Sequence, residues 1–143
     1  MTACVIDASV AAKWFLPSSG ETLTVEALRI LQSYAEGRLR LLAPELFWPE
    51  LGNILGKAVR QGRMSRESAE EAIQGLEDRR IATAASLPLL KDAFAISAAS
   101  GRTVYDAMYV ALAIISNAPL VTADERLANA LAARYPVRWL GAL

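Results

Sequence analysis

The chain has 143 residues, 15 basic and 15 acidic side chains, zero net charge, a pI near 6.3 and 54% hydrophobic content. These values suit one compact domain over residues 1–143 and argue against a disordered chain, while the absence of a global positive field leaves only a local patch for any polyanion partner. Having no histidine excludes mechanisms built on an imidazole base and disfavours a zinc centre; the lone cysteine, Cys4, excludes an intrachain disulfide and suits a reducing cytoplasm.

In chain order, the apolar run Ala-Cys-Val-Ile at 3–6 predicts a short strand, followed by a helix over Ala8 to Phe15 that stops before Pro17. This start carries Asp7 and Lys13, lacks a leading basic segment, and reads as mature protein rather than a signal peptide. From Glu21 to about Glu36, apolar Leu23, Ala27, Leu28, Leu31, Tyr34 and Ala35 recur at helical spacing, with Gly37 as the stop. Leu39 to Ala43 reads as a second strand. Pro44 suits the first turn of a helix running to about Gln61, in which Pro49 predicts a kink or a restart.

Ser65 can cap the next helix, which extends to about Arg80 with Ala69, Ala72, Ile73 and Leu76 as its inner stripe. Its acids Glu67, Glu70, Glu71, Glu77 and Asp78 lie between basic residues and read as a solvated face. Ile81 to Leu87 holds a weak third strand. Helices over Leu89 to Ser100 and Val104 to Ser116 follow, separated by Gly101, then a strand at Leu120 to Thr122, a helix at Glu125 to Arg134 and a final strand at Val137 to Leu140. The longest charge-free stretch, Ala107 to Ala123, is broken by Ser116-Asn117-Ala118-Pro119 and is too short to span a membrane. Short apolar strands alternating with amphipathic helices predict a parallel sheet covered on both faces, which binds ligands at the carboxyl ends of its strands.

Three of the five aspartates, Asp7, Asp106 and Asp124, stand where an apolar run meets a helix. Each has an ordinary explanation: Asp7 and Asp124 can cap the helices they precede, Thr122 and Glu125 have capping-box spacing, and Asp106 follows Thr103 by three residues, although its apolar stripe through Tyr109, Val110, Ala113 and Ile114 turns it toward the core side. Glu50 is harder to dismiss. It lies between Phe47 and Ile54 on the apolar face of its helix, provided that Pro49 does not restart that helix. Carboxylates near a core must be paired, hydrogen-bonded, protonated or metal-bound, so four such positions point to a shared cation site, with Ser9 and Thr122 as possible supporting hydroxyls.

The segments VIDASVAAKWF, PELFWPELGNIL, TVYDAMYVALA and LVTADERL, in this order across nearly the whole chain, resemble PIN-domain ribonucleases and most closely the VapC-type toxins of toxin-antitoxin pairs. The resemblance implies a three-layer α/β/α sandwich, a homodimer, a VapB-like antitoxin partner and an RNA substrate. It further implies that Asp7, Glu50, Asp106 and Asp124 bind Mg²⁺ or Mn²⁺, and that cleavage leaves a 5′-phosphate and a 3′-hydroxyl. The chemistry is consistent with this implication: hard divalent cations take oxygen ligands, and a bound cation can activate water where no histidine is available. Lys13, Arg102 and Arg126 lie beside these motifs as expected RNA contacts, whereas Arg60, Arg63 and Arg66 form a separate basic cluster.

Two other functions remain open. Dehalogenase-like and receiver-like phosphoryl transfer also place aspartates at strand ends, but the first requires an aspartate two residues after the nucleophile, where this chain has Ser9, and the acidic pair and lysine of the second are missing. A P-loop is absent. The non-enzymatic alternative is a PIN-like module that binds a protein partner and retains its acids only as caps.

Overall fold

The computed structural model describes residues 2–143. Five parallel strands, β1 (Thr2–Ile6), β2 (Leu39–Pro44), β3 (Ala82–Ala84), β4 (Leu120–Thr122) and β5 (Val137–Trp139), form one sheet in the order β3-β2-β1-β4-β5. The seven helices are α1 (Ala8–Ala12), α2 (Thr24–Ala35), α3 (Phe47–Arg60), α4 (Arg66–Arg79), α5 (Ser86–Ser100), α6 (Val104–Ser116) and α7 (Glu125–Leu131). Together they make the α/β/α sandwich expected from the alternating pattern.

Strand order determines where a site can form. From β1 the chain adds β2 and then β3 on one side, and later returns to place β4 against the opposite edge of β1. The order therefore reverses between β1 and β4, and the crevice beyond the carboxyl ends of two such strands is where open parallel sheets hold their ligands. Asp7 follows β1 directly, and Asp124 lies two residues beyond β4. The strand positions beneath them are apolar and buried: Val5, Ile6 and Leu120 have no exposed surface. α6 packs over β1 and β2, α5 lies along α6, and α1 packs against α3.

Several predicted boundaries and faces need correction. Pro44 does not open a helix; it ends β2, where it pairs with Ala84. Pro49 instead occupies the first turn of α3, where a missing N–H costs nothing, so the helix neither kinks nor restarts. α2 starts at Thr24 rather than Glu21, because Leu23 takes a left-handed φ of 59° that interrupts any helical run from Glu21. After Ala12, the predicted end of α1 tightens into i→i−3 bonds at Lys13, Trp14 and Phe15. Leu28, Ile73 and Ile114, each placed on an inner stripe, are exposed, and Ala35 is exposed as well.

Other local expectations hold. Ser65 Oγ accepts from the Ser68 N–H to cap α4. Gly101, at a φ of +75°, closes α5 by donating to the Ser97 carbonyl, a left-handed conformation that favours glycine. Cys4 is buried in β1, and burial pushes its thiol pKa up to about 11, so it packs as a small hydrophobe. Among the described residues, no helix is long and apolar enough to cross a membrane.

Candidate functional site

The site is built from the β1–α1 junction outward. Asp7 leaves β1 in an extended conformation, its N–H donating to the Val121 carbonyl at 3.1 Å, which ties the turn to β4. Its Oδ1 accepts from the Ser9 N–H at 3.3 Å, so the predicted cap does form. Its Oδ2 accepts from Thr122 Oγ1–H at 2.7 Å, a contact spanning 115 residues of sequence. Thr122 is buried, and its oxygen also accepts from the Asp124 N–H at 3.0 Å. Ser9 Oγ accepts from the Ala123 N–H at 3.2 Å. The two supporting hydroxyls therefore join the β1 and β4 ends, with Thr122 engaging the first acid directly.

The predicted capping box between Thr122 and Glu125 does not form, because α7 starts at Glu125 with Asp124 as its N-cap, and the Thr122 hydroxyl accepts from the Asp124 N–H. Asp124 caps α7 instead, its Oδ1 accepting from the Leu127 N–H at 3.1 Å. On α6, Thr103 caps the helix by accepting from the Asp106 N–H, and the Asp106 carboxylate lies 3.2 Å from the Arg102 guanidinium. Capping and proximity to the site therefore coexist at Asp7, Asp106 and Asp124. The ordinary explanation was correct at each residue without being complete.

Glu50 enters from α3. The helix begins at Phe47 and buries Phe47, Leu51, Leu55 and Ala58, which places Glu50 in its first turn at the margin of that buried face. Its Oε1 is buried without a hydrogen-bond partner, as is the Tyr109 hydroxyl on α6. Burial first, then the negative charges of Asp7 and Asp106, push the Glu50 pKa up to about 7; the nearby Tyr109 hydroxyl opposes the shift without closing a regular hydrogen bond. Asp7 is also raised, chiefly by burial and additionally by Asp106, against the lowering effect of the Thr122 and Ser9 hydrogen bonds. The Tyr109 hydroxyl is raised by burial and by the charges of Asp7 and Glu50.

Asp7, Glu50 and Asp106, separated by 43 and 56 residues in sequence, thus share one electrostatic environment. Asp124 lies at the exposed rim, linked to Asp7 through Thr122. Among the described residues, no three acidic or cysteine side chains are gathered tightly enough to enclose an ion by themselves. An oxygen-only donor set containing an orphaned buried carboxylate oxygen nevertheless fits a hard divalent cation, which commonly keeps several waters and uses few carboxylates directly. The residues present are compatible with such an ion.

The expected RNA contacts separate in space. Arg102 stands against Asp106. Lys13 lines a cavity with Ser9 and Asp124 and is held by Glu21 at 3.0 Å. Arg126 is exposed on α7. Arg63, assigned from sequence to a separate cluster, instead joins the Lys13 cavity by binding the other oxygen of Glu21 at 2.8 Å. Arg66 pairs with Glu70 on the surface of α4. Sequence reasoning missed Tyr109 and Glu21: Tyr109 carried a usable signal, three residues after Asp106 on one helix, but Glu21 finds partners 8 and 42 residues away and offered no local pattern.

The PIN domain family model matches residues 4–131 of this chain. The chain belongs to the PIN-domain family. Its similarity extends to VapC-type members: Ribonuclease VapC3 of Pyrobaculum aerophilum is 33% identical over 127 residues, covering 87% of this chain and 92% of the relative. Ribonuclease VapC1 of Mycobacterium tuberculosis is 31% identical over 133 residues, covering 91% and 92%. The crystal structure of PAE2754 from Pyrobaculum aerophilum shares the fold with a TM-score of 0.69 and 22% identity, over 99% of this chain and 94% of that one.

Proposed function

We propose that this chain is a divalent-cation-dependent endoribonuclease, the toxin of a type II toxin-antitoxin pair, acting in the cytoplasm. The observation that carries the reading is the buried, unpartnered Glu50 oxygen in the shared field of Asp7 and Asp106. Three acids drawn from three distant segments are poorly explained as caps alone, and the relatives at 31–33% identity are named ribonucleases.

Asp7, Glu50 and Asp106 would hold Mg²⁺ or Mn²⁺, with Asp124 at the rim. When bound, the cation would neutralise the acids, orient a phosphodiester and increase the acidity of an attacking water. The chain's own residues prepare that site. Thr122 fixes the orientation of Asp7 by donating to Oδ2, and the Ser9 N–H restrains Oδ1. Arg102 offsets the charge of Asp106. Glu50, its pKa pushed up to about 7, is partly protonated near neutral pH in the free site and would give up that proton as positive charge arrives. Hydrolysis would leave a 5′-phosphate and a 3′-hydroxyl.

A VapB-like antitoxin would occupy the groove beside the acids. The homodimer reading is supported by α5, where Leu87, Leu90 and Phe94 form an exposed stripe at helical spacing. The decisive experiment incubates purified protein with total RNA plus Mg²⁺ or Mn²⁺ and maps new 5′ ends beside an Asp7→Asn control. Metal-dependent ends from the wild type alone are expected; the same ends from both proteins would sink the nuclease assignment.

A further inference from the structure

A cavity of about 430 Å³ adjoins the acids on the α1–α3 side. Ser9 and Asp124 form its wall toward the site, while Lys13, Lys57, Arg63 and Glu21 line the rest. Glu21 is the organiser: Oε1 accepts from Lys13 Nζ at 3.0 Å and Oε2 from Arg63 Nη2 at 2.8 Å. The Lys13 and Glu21 side chains are only 10% and 14% exposed. One carboxylate therefore holds two cations in place, and Lys57, exposed on α3, has no carboxylate partner among the described residues.

Removing a lysine, a glutamate and an arginine from water costs free energy that an apolar cluster of similar volume would avoid. Fold stability alone gives little reason for such a group to line an open cavity. Its effect is to hold a guanidinium and an ammonium at fixed positions with donors to spare, since Arg63 uses only Nη2 on Glu21. Against the two carboxylates of Glu21 and Asp124, the three cations leave the cavity with a surplus of positive charge in a chain of zero net charge. A positive chamber adjoining an acidic pocket suits a polyanion whose reacting phosphate lies over the acids while the next one needs a counter-charge.

We infer that the Lys13–Lys57–Arg63 cavity, organised by Glu21, is a phosphate subsite that receives the RNA phosphate adjacent to the one being cleaved. This rests on the nuclease reading above and extends it to substrate placement. Lys57 and Arg63 contact the phosphate, and Glu21 acts through them as a positioning residue. The apolar wall of Ala12 and Ile54 accommodates the attached sugar.

The test uses full-length protein carrying Asp7→Asn, which keeps RNA intact, and a fluorescein-labelled single-stranded oligoribonucleotide titrated from 50 to 300 mM NaCl. Lys57→Gln is expected to weaken binding about three- to tenfold and to flatten the log–log salt slope by roughly 0.7, the value for one lost single-strand phosphate contact. Lys91→Gln, exposed on α5, should leave both unchanged. In a scan placing one neutral methylphosphonate at each linkage in turn, the penalty beside the cleavage point should vanish in Lys57→Gln.

An unchanged slope and penalty profile in Lys57→Gln, or equal losses in Lys91→Gln, overturns the subsite; so does displacement of a bound acidic peptide in place of any effect on RNA. Wild-type cleavage in Mn²⁺ separates the two readings. If the wild type cleaves and Lys57→Gln has the same KM and salt slope, only the subsite fails. If RNA engages Lys57 but is never cleaved, the nuclease reading fails and the cavity is an RNA-phosphate site with no scissile neighbour.

Discussion

At the scale of single residues, the site depends on a few atoms whose alteration has a definite sign. Thr122→Val removes the donor to Asp7 while preserving side-chain volume and should lower nuclease activity by about ten- to one-hundredfold, the usual range for groups that orient a ligand. Thr122→Ser should recover much of the loss, as read from initial cleavage rates. Because Asp7, Glu50 and Asp106 repel one another, millimolar Mg²⁺ or Mn²⁺ should raise the melting temperature relative to EDTA, and Asp7→Asn or Asp106→Asn should remove most of that gain; equal melting curves would count heavily against the site. Glu50 adds a pH signature. Its folded pKa is raised from 4.5 to about 7, so without metal its stabilising effect is complete below 4.5 and disappears as pH rises toward 7. Cation affinity should rise between pH 6 and pH 8 with release of a proton, measurable by calorimetry in buffers of different ionisation enthalpy, and Glu50→Gln should flatten this dependence. The strand-end aspartates were legible from sequence because an apolar run followed by an acid is a local pattern. Their partner Thr122 was legible only as an alternative, since its spacing to Glu125 fitted a capping box equally well and only the fold places its hydroxyl 2.7 Å from Asp7.

At the scale of elements, α3 controls the delivery of Glu50. Phe47, Leu51 and Leu55 anchor it with at most 1% exposure, so Leu55→Ala should cost about 2–5 kcal/mol in chemical denaturation and also loosen the site. The sequence contained the competing cues of Pro44 and Pro49, and both favour a helix start when considered alone. Strand pairing of Pro44 with Ala84 decided between them, a nonlocal fact that no window of sequence contains. Periodicity placed α6 at its observed bounds, yet assigned Ile114 inward when it is 49% exposed. A helix that is apolar on nearly every side carries too little contrast to orient its stripe. The late start of α2 has another origin: Leu23 takes a left-handed φ, and Glu21 before it belongs to the Lys13 and Arg63 ion pairs, which the spacing of apolar residues cannot reveal.

At the scale of the whole molecule, the exposed stripe on α5 leads to an assembly prediction. Phe94, 65% exposed, should lie within the dimer contact, so Phe94→Glu should convert a dimer to a monomer in sedimentation velocity; an unchanged profile would rule this face out. The sheet order was legible only as a class, because alternation implies parallel strands but does not say which strand is central. That centre has a dynamic consequence. Asp7 follows β1 and Thr122 ends β4; these adjacent interior strands are joined through their backbones from Val5 to Asp7. Amides at such a seam exchange with solvent only when the entire domain opens, so Val5, Ile6 and Asp7 should show the slowest hydrogen exchange in the chain. Local melting cannot then displace Asp7 or Thr122 at a cost below that of unfolding the protein. Under the toxin reading, an inhibitor would therefore have to cover the acids, and its dissociation alone would restore them.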